Sequence, residues 1–265
     1  QHQLAMQVLP VSASFLVSGL IESYTAPGIA RILTETGRLA DTTSRRIFET
    51  GQMVFDCAVE GSLTPGRMGH RTLLKVRLMH AFVRFHALRH GITNSINQAE
   101  MAFTLGMFGV GVLNGLKRLG LFIPRETAQD YHHLWRTAGY FLGLDQHLLP
   151  ATVEEAFRLQ AKLTSHLQNP DGNSRQLAHA VIDALQAKPP FLLSRRALYA
   201  LSRQLLGKKC LISLAFLPAN DGTMRCWRPP PSFLPADSCR HAAIESDVAF
   251  NGQDSLLILG RWGLV

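Results

Sequence analysis

The stretch from Arg71 to His90, preceded by Gly69 and followed by Gly91, constrains this chain more than any other. Its spacing predicts one long helix. Leu73, Leu74, Val76, Leu78, Met79, Ala81, Phe82, Val83, Phe85 and Leu88 leave no clean polar face, and a helix that is apolar nearly all round belongs in the middle of a protein. Arg77, His80 and Arg84 stand at i, i+3 and i+7, so they share one face and span about 10 Å. A buried guanidinium keeps its charge and needs a partner. One imidazole between two guanidiniums suits a ligand carrying both a metal and carboxylates, and haem, with its iron and two propionates, is such a ligand. The alternative is a hydrogen-bonded core histidine flanked by arginines that protein carboxylates satisfy.

The remaining periodicity is helical. Pro27 falls at a first-turn position, the following segment Ile29 to Leu39 ends near Gly37, and a second helix runs from about Thr43 to Val59. Glu60 to Gly66 breaks the pattern and forms the loop into the long helix, which Gly91 closes as a C-cap. Asn97 with Glu100, and Thr152 with Glu155, are capping boxes that start helices through Leu119 and about Leu167. Between them Pro124 opens a helix from Arg125 to Leu142, and two more, roughly Ser174 to Ala187 and Ser194 to Leu206, are divided by Pro189-Pro190. The expected architecture is all-α: a single-domain helical bundle of about eight or more helices around the buried long helix. Residues 1–209 form that domain. Residues 210–265, with apolar runs separated by Pro229-Pro-Pro231, form an irregular segment of short strands or extended chain packed on the same domain, since Trp227, Phe233, Phe250 and Trp262 would otherwise expose too much apolar surface.

Composition narrows the function classes. The net charge of +8 would suit an acidic partner. Lysine and arginine are scattered rather than clustered, however, without aromatic interleaving, so nucleic-acid binding is not expected. The early run Val8 to Leu20 is broken by Pro10 and serines, and is too short and polar for a transmembrane helix. It lacks the basic flank of a signal peptide, although the start at Gln1 leaves room for a processed N-terminus. The four cysteines, Cys57, Cys210, Cys226 and Cys239, form no Cys-x-x-Cys pair. Reduced thiols in a cytoplasmic protein are the simplest reading. Nothing in the sequence sets the oligomeric state.

The segment Arg77-Leu-Met-His80-Ala-Phe-Val-Arg84 resembles the signature of the latex-clearing protein family, haem b rubber oxygenases, and of the broader oxygenase-like family around them. Thr36-Gly-Arg-Leu39, Arg45-Arg-Ile-Phe-Glu-Thr50, Ile96-Asn-Gln-Ala-Glu-Met101, Tyr131-His-His-Leu-Trp-Arg136 and Gly139-Tyr-Phe-Leu-Gly143 are similar to that pattern in the same order. The resemblance implies a globin-like core, haem b with His80 as its proximal iron ligand, Arg77 and Arg84 near the propionates, and dioxygen as co-substrate. It also implies catalytic roles for Arg46 and Thr50, which at i and i+4 share a helix face. Glu49 matches a distal lysine ligand in the family; a carboxylate does not reproduce a neutral amine, so the family's closed six-coordinate state is not expected here. Glu49 is then a base, or the salt-bridge partner of Arg45 or Arg46.

Other residues fit less chemistry. Gly106, Gly109, Gly111 and Gly115 permit close approach of a helix or a flat macrocycle. No strand precedes them, which removes a dinucleotide-binding reading. Thr104 reaches the same cavity or bonds its own backbone. His86 and His90 read as a surface pair, and of the adjacent His132 and His133 one faces the core. Two functions compete. One is a haem-dependent oxygenase of a hydrophobic, isoprenoid-type carbon–carbon double bond; the other is a non-catalytic helical protein that only binds haem or a lipid-like molecule.

Overall fold

Caps written in the sequence start and stop the helices. In the computed structural model, which describes residues 10–35, 43–188, 192–207, 210–211 and 214–216, Asn97 accepts from the Glu100 amide at 3.0 Å while the Glu100 carboxylate accepts from the Asn97 amide at 3.3 Å. Thr152 and Glu155 form the same reciprocal pair, so both expected capping boxes are present. Gly91, Gly120 and Gly143 take positive φ just past helix ends, at 76°, 82° and 86°, a conformation in which a side chain would be strained.

The helices are α1 (Pro10–Ile21), α2 (Pro27–Glu35), α3 (Thr43–Ala58), α4 (Met68–Arg89), α5 (Gln98–Arg118), α6 (Arg125–Leu142), α7 (Val153–Leu167), α8 (Gly172–Leu185) and α9 (Arg195–Leu205). No strand occurs among the described residues, and the fold is all-α as expected. The Thr36–Leu39 motif and nearly all of the 210–265 segment lie outside the described residues.

The core sits where α1 meets α5. Phe15, Leu20 and Ile21 of α1 pack with Phe108, Val112 and Leu116 of α5, joined by Trp135 of α6 and by the apolar stripes of α8 and α9. Small residues make this possible. A Cβ on Gly115 would lie 2.7 Å from the Ser18 hydroxyl and 2.8 Å from that of Ser14, and one on Gly111 would lie 3.1 Å from the Ser18 carbonyl oxygen. The expected close approach at the α5 glycines is therefore present. Both helices widen into π turns at this crossing, Phe15–Ile21 and Met107–Gly111. The helix α5 is long and apolar enough to cross a membrane, but most of it is buried here as a core helix.

The long helix α4 is not where its sequence places it. It packs chiefly on α3 and α6. Of its residues only Gly69, Leu73 and Ala87 are buried, and its apolar outer face is exposed. The expectation of a helix buried in the middle is corrected for a physical reason: a pattern apolar all round carries no direction, and α5, with its small residues, takes the central position. What anchors α4 is polar. The buried Asp56 carboxylate of α3 accepts from Thr72 Oγ1 at 2.7 Å and from Gln52 Nε2 at 2.6 Å, and Ser62 Oγ donates to the Asp56 carbonyl at 2.5 Å. Gly69 fits beneath this network, for its Cβ would meet the Asp56 carbonyl oxygen at 2.6 Å.

Two stability predictions follow from these contacts. Gly69→Ala gains helix propensity of about 1 kcal/mol, yet forces α3 and α4 apart; overpacking of this kind costs about 1–3 kcal/mol. Urea unfolding should therefore show a net loss and the clash should win. On α1's C-terminal side, burial pushes the Glu22 carboxyl up from 4.5 to about 7, with the Arg118 guanidinium pulling it down. The folded chain then binds more protons than the unfolded chain between those values. Glu22 thus contributes stability that is full below about pH 4.5 and lost as pH rises through about 7. Thermal melts of Glu22→Gln should show a flatter pH dependence than wild type across that window.

Candidate functional site

The inward face of α4 follows from its register. At 100° per residue, Leu73, His80, Arg84 and Ala87 fall on the side opposite Leu78 and Phe82. His80 is half-buried, and its Nδ1 is fully enclosed without a hydrogen-bond partner. The expected alternative, a core histidine satisfied by hydrogen bonding, therefore does not describe this nitrogen. Burial pushes the imidazole down to about 4, and the Arg84 guanidinium acts in the same direction. His80 is consequently neutral at physiological pH, the form that donates a lone pair to a metal.

The two arginines of the row diverge. Arg84 is half-buried and donates from Nη1 to the Ile96 carbonyl at 3.2 Å, with Met101 Sδ at 3.8 Å. Arg77 is exposed and lies across the turn that ends α6: a Cβ on Gly143 would stand 2.9 Å from its guanidinium carbon. Gln98 holds that turn, donating to the Gly143 carbonyl at 3.0 Å and accepting from the Asp145 amide at 2.9 Å. Among the described residues, no ion pair involves Arg77 or Arg84. The carboxylates that a purely structural role would call for are absent from that set.

On α3 the inward line is Arg46, Thr50, Met53 and Cys57, at i, i+4, i+7 and i+11. Arg46 and Thr50 are both half-buried. Arg46 lies near Tyr24, whose hydroxyl burial pushes up to about 12 while the guanidinium pulls the other way. Counting from the Asp56–Thr72 bond, Arg46 is ten residues back on α3 and His80 eight residues on along α4, so both helices run a comparable distance, about 12–15 Å, from their shared anchor. Glu49 is not on this line. It is exposed and paired with Arg45 at 2.7 Å, the salt bridge that the sequence left as its second reading. Thr104 Oγ1 donates to the Glu100 carbonyl at 3.0 Å, its own helix backbone.

Remaining candidates separate from this site. His132 is buried against the Pro150 carbonyl at 3.0 Å, His133 is exposed, and His86 and His90 stack at the outer end of α4. A cavity of about 30 Å³ is lined by Gly106, Gly109, His132, Trp135 and Gln160 and by no residue of α4; it has room for about one water molecule. Sequence reasoning missed Asp56, Thr72 and Gln98, which are joined to their partners across 16, 16 and 45 residues. Spacing within one helix carries no trace of such pairs. Gly143 was legible as the end of a family-like motif, but not as the floor beneath Arg77.

Within an all-α fold, α4 thus carries a neutral histidine with an unpartnered nitrogen and two arginines that meet no carboxylate among the described residues. The chain belongs to the family described as ER-bound oxygenase mpaB/B'/Rubber oxygenase, catalytic domain, which it matches over residues 3–224. It is similar to the rubber oxygenase of Streptomyces sp. (strain K30), with 25% identity over 187 residues, 65% of this chain and 45% of the relative. Its fold is similar to that in the structure of latex clearing protein LCP in the closed state, with a TM-score of 0.67 and 20% identity over 82% of this chain and 60% of that one. The chain thus spans less than half the length of the curated relative it matches.

Proposed function

We propose that the protein is a haem b-dependent oxygenase of a hydrophobic, isoprenoid-type carbon–carbon double bond. The observation that carries this reading is the enclosed, unpartnered Nδ1 of a neutral His80 in a chain matched to an oxygenase family over residues 3–224. The donor chemistry fits haem, which needs only one neutral imidazole from the protein. That no cluster of three or more His, Cys, Asp or Glu occurs among the described residues is compatible with such a one-ligand site.

When bound, haem supplies the iron that activates dioxygen. The protein's own residues do the rest. His80 offers the lone pair, and Arg77 and Arg84 offer guanidiniums to the propionates, Arg84 from a position already fixed by Ile96 and Met101. Arg46 and Thr50 supply hydrogen-bond donors from the inner face of α3, while Met53 and Cys57 keep that face otherwise apolar. Glu49 has no part in this chemistry on the proposed reading, since Arg45 holds it at the surface. That same replacement of a lysine by a paired carboxylate favours the second reading, a binding protein without turnover.

Two substitutions test the proposal. Wild-type protein expressed with ample haem should show a Soret band, and His80→Ala should abolish it; a wild type that binds no haem on titration sinks the reading. Arg46→Ala should lower oxygen consumption much more, on the order of a hundredfold, than it lowers haem content, because a donor acting in the transition state lowers the rate without emptying the site. Parallel loss of both would reassign Arg46 to holding the group. Full haem occupancy with no oxygen consumption in the wild type would establish the binding-only reading.

A further inference from the structure

We infer that the outward face of α4, with the adjoining edge of α3, docks on the surface of an anionic phospholipid bilayer. Leu74, Leu78, Met79, Phe82, Phe85 and Leu88 are between 41% and 66% exposed. Leu74, Leu78, Phe82 and Phe85 run at i, i+4, i+8 and i+11, a single row along a helix of 22 residues, about 33 Å in length. Phe48 and Phe55 of α3, with Val59 just past its end, are also exposed and extend the patch sideways. An apolar surface this long is rarely left to water on a folded monomer.

Charge selects the occupant. The helix α4 carries Arg71, Lys75, Arg77, Arg84 and Arg89 and no aspartate or glutamate. Arg71, Lys75 and Arg89 are exposed on the same side as the apolar row, and the Arg89 guanidinium stands 5.8 Å from the centre of the Phe85 ring. Acidic groups nearby do not offset them: Asp56 is buried and hydrogen-bonded within the fold, Glu49 is paired with Arg45, and Glu60 stands alone in the loop before α4. A second copy docking α4 on α4 would bring Arg71, Lys75 and Arg89 against the same three cations. Phenylalanine and leucine flanked by lysine and arginine are the composition that enters the boundary between headgroups and acyl chains, with the cations held by anionic headgroups. His80 lies on the opposite side of the same helix, so docking leaves the inward face free.

Vesicle flotation of the intact chain tests this without any activity measurement, so its outcome is independent of the oxygenase reading. The protein should float with phosphatidylcholine vesicles containing about 30% phosphatidylserine at about 0.1 M salt and release as salt rises. Exchanging both Phe82 and Phe85 for serine should abolish flotation. Because a helix surface change can disturb folding, the pair Arg71→Gln and Lys75→Gln, both at exposed positions, provides a second arm. It should weaken binding about thirtyfold, at roughly fivefold for each cation lost near the surface, with an unchanged circular dichroism spectrum. No flotation, equal binding to neutral vesicles, or variants that float like wild type would overturn the proposal. So would a dimer in light scattering that the phenylalanine exchanges dissolve, since that assigns the face to a second copy.

Discussion

Everything else in the molecule is placed by the crossing of α1 and α5, where glycine and serine let two backbones approach at a distance no larger side chain permits. A methyl group at Gly115 would collide with the Ser14 and Ser18 hydroxyls, and one at Gly111 would press on the Ser18 carbonyl oxygen. Ser18 also donates to the Leu205 carbonyl at 3.4 Å, and Arg118 at the end of α5 donates to the same oxygen. This seam therefore fixes α9 as well as α1. At its other end α5 holds both neighbours of the site: Met101 and the preceding Ile96 receive Arg84 of α4, and Gln98 receives the turn that ends α6.

How much of this was legible depends on the kind of signal. Local chemistry was: the Asn97 and Thr152 capping boxes, the glycine stop at 91, and the small-residue spacing on α5 all act within a few residues and appear as read. Family membership was legible in ordered motifs. The depth of α4 was not. Hydrophobic periodicity locates a buried face only where a polar face opposes it, and α4 mixes both around its whole circumference. The network of Asp56, Thr72 and Ser62, which determines how α4 docks, joins residues that no helical spacing connects.

Among the site residues, the sequence placed Arg46 and Thr50 on one face and the structure turns that face inward. It left Glu49 between two roles, and geometry decides its partner: an exposed i, i+4 pair with Arg45, worth a few tenths of a kcal/mol. Thr104 resolves towards its own backbone for the reason helical threonines usually do, since the carbonyl four residues back is within reach.

The two sides of α4 carry the same residue types to different ends. Outside, lysine, arginine and phenylalanine stand in water, where a cation keeps its hydration and costs little. Inside, Arg84 and His80 have given up part of that hydration. An enclosed polar nitrogen without a partner costs about 1–3 kcal/mol, and burial, with Arg84 acting in the same direction, holds His80 neutral. A chain that needed only to fold would gain stability from leucine at position 80, as such a side chain has no nitrogen to satisfy. On the proposed reading the cost is offset when a prosthetic group takes up the imidazole and its acid groups meet the arginines. The unsatisfied atom is then the feature that ties the stability of α4's inner face to occupancy of the site.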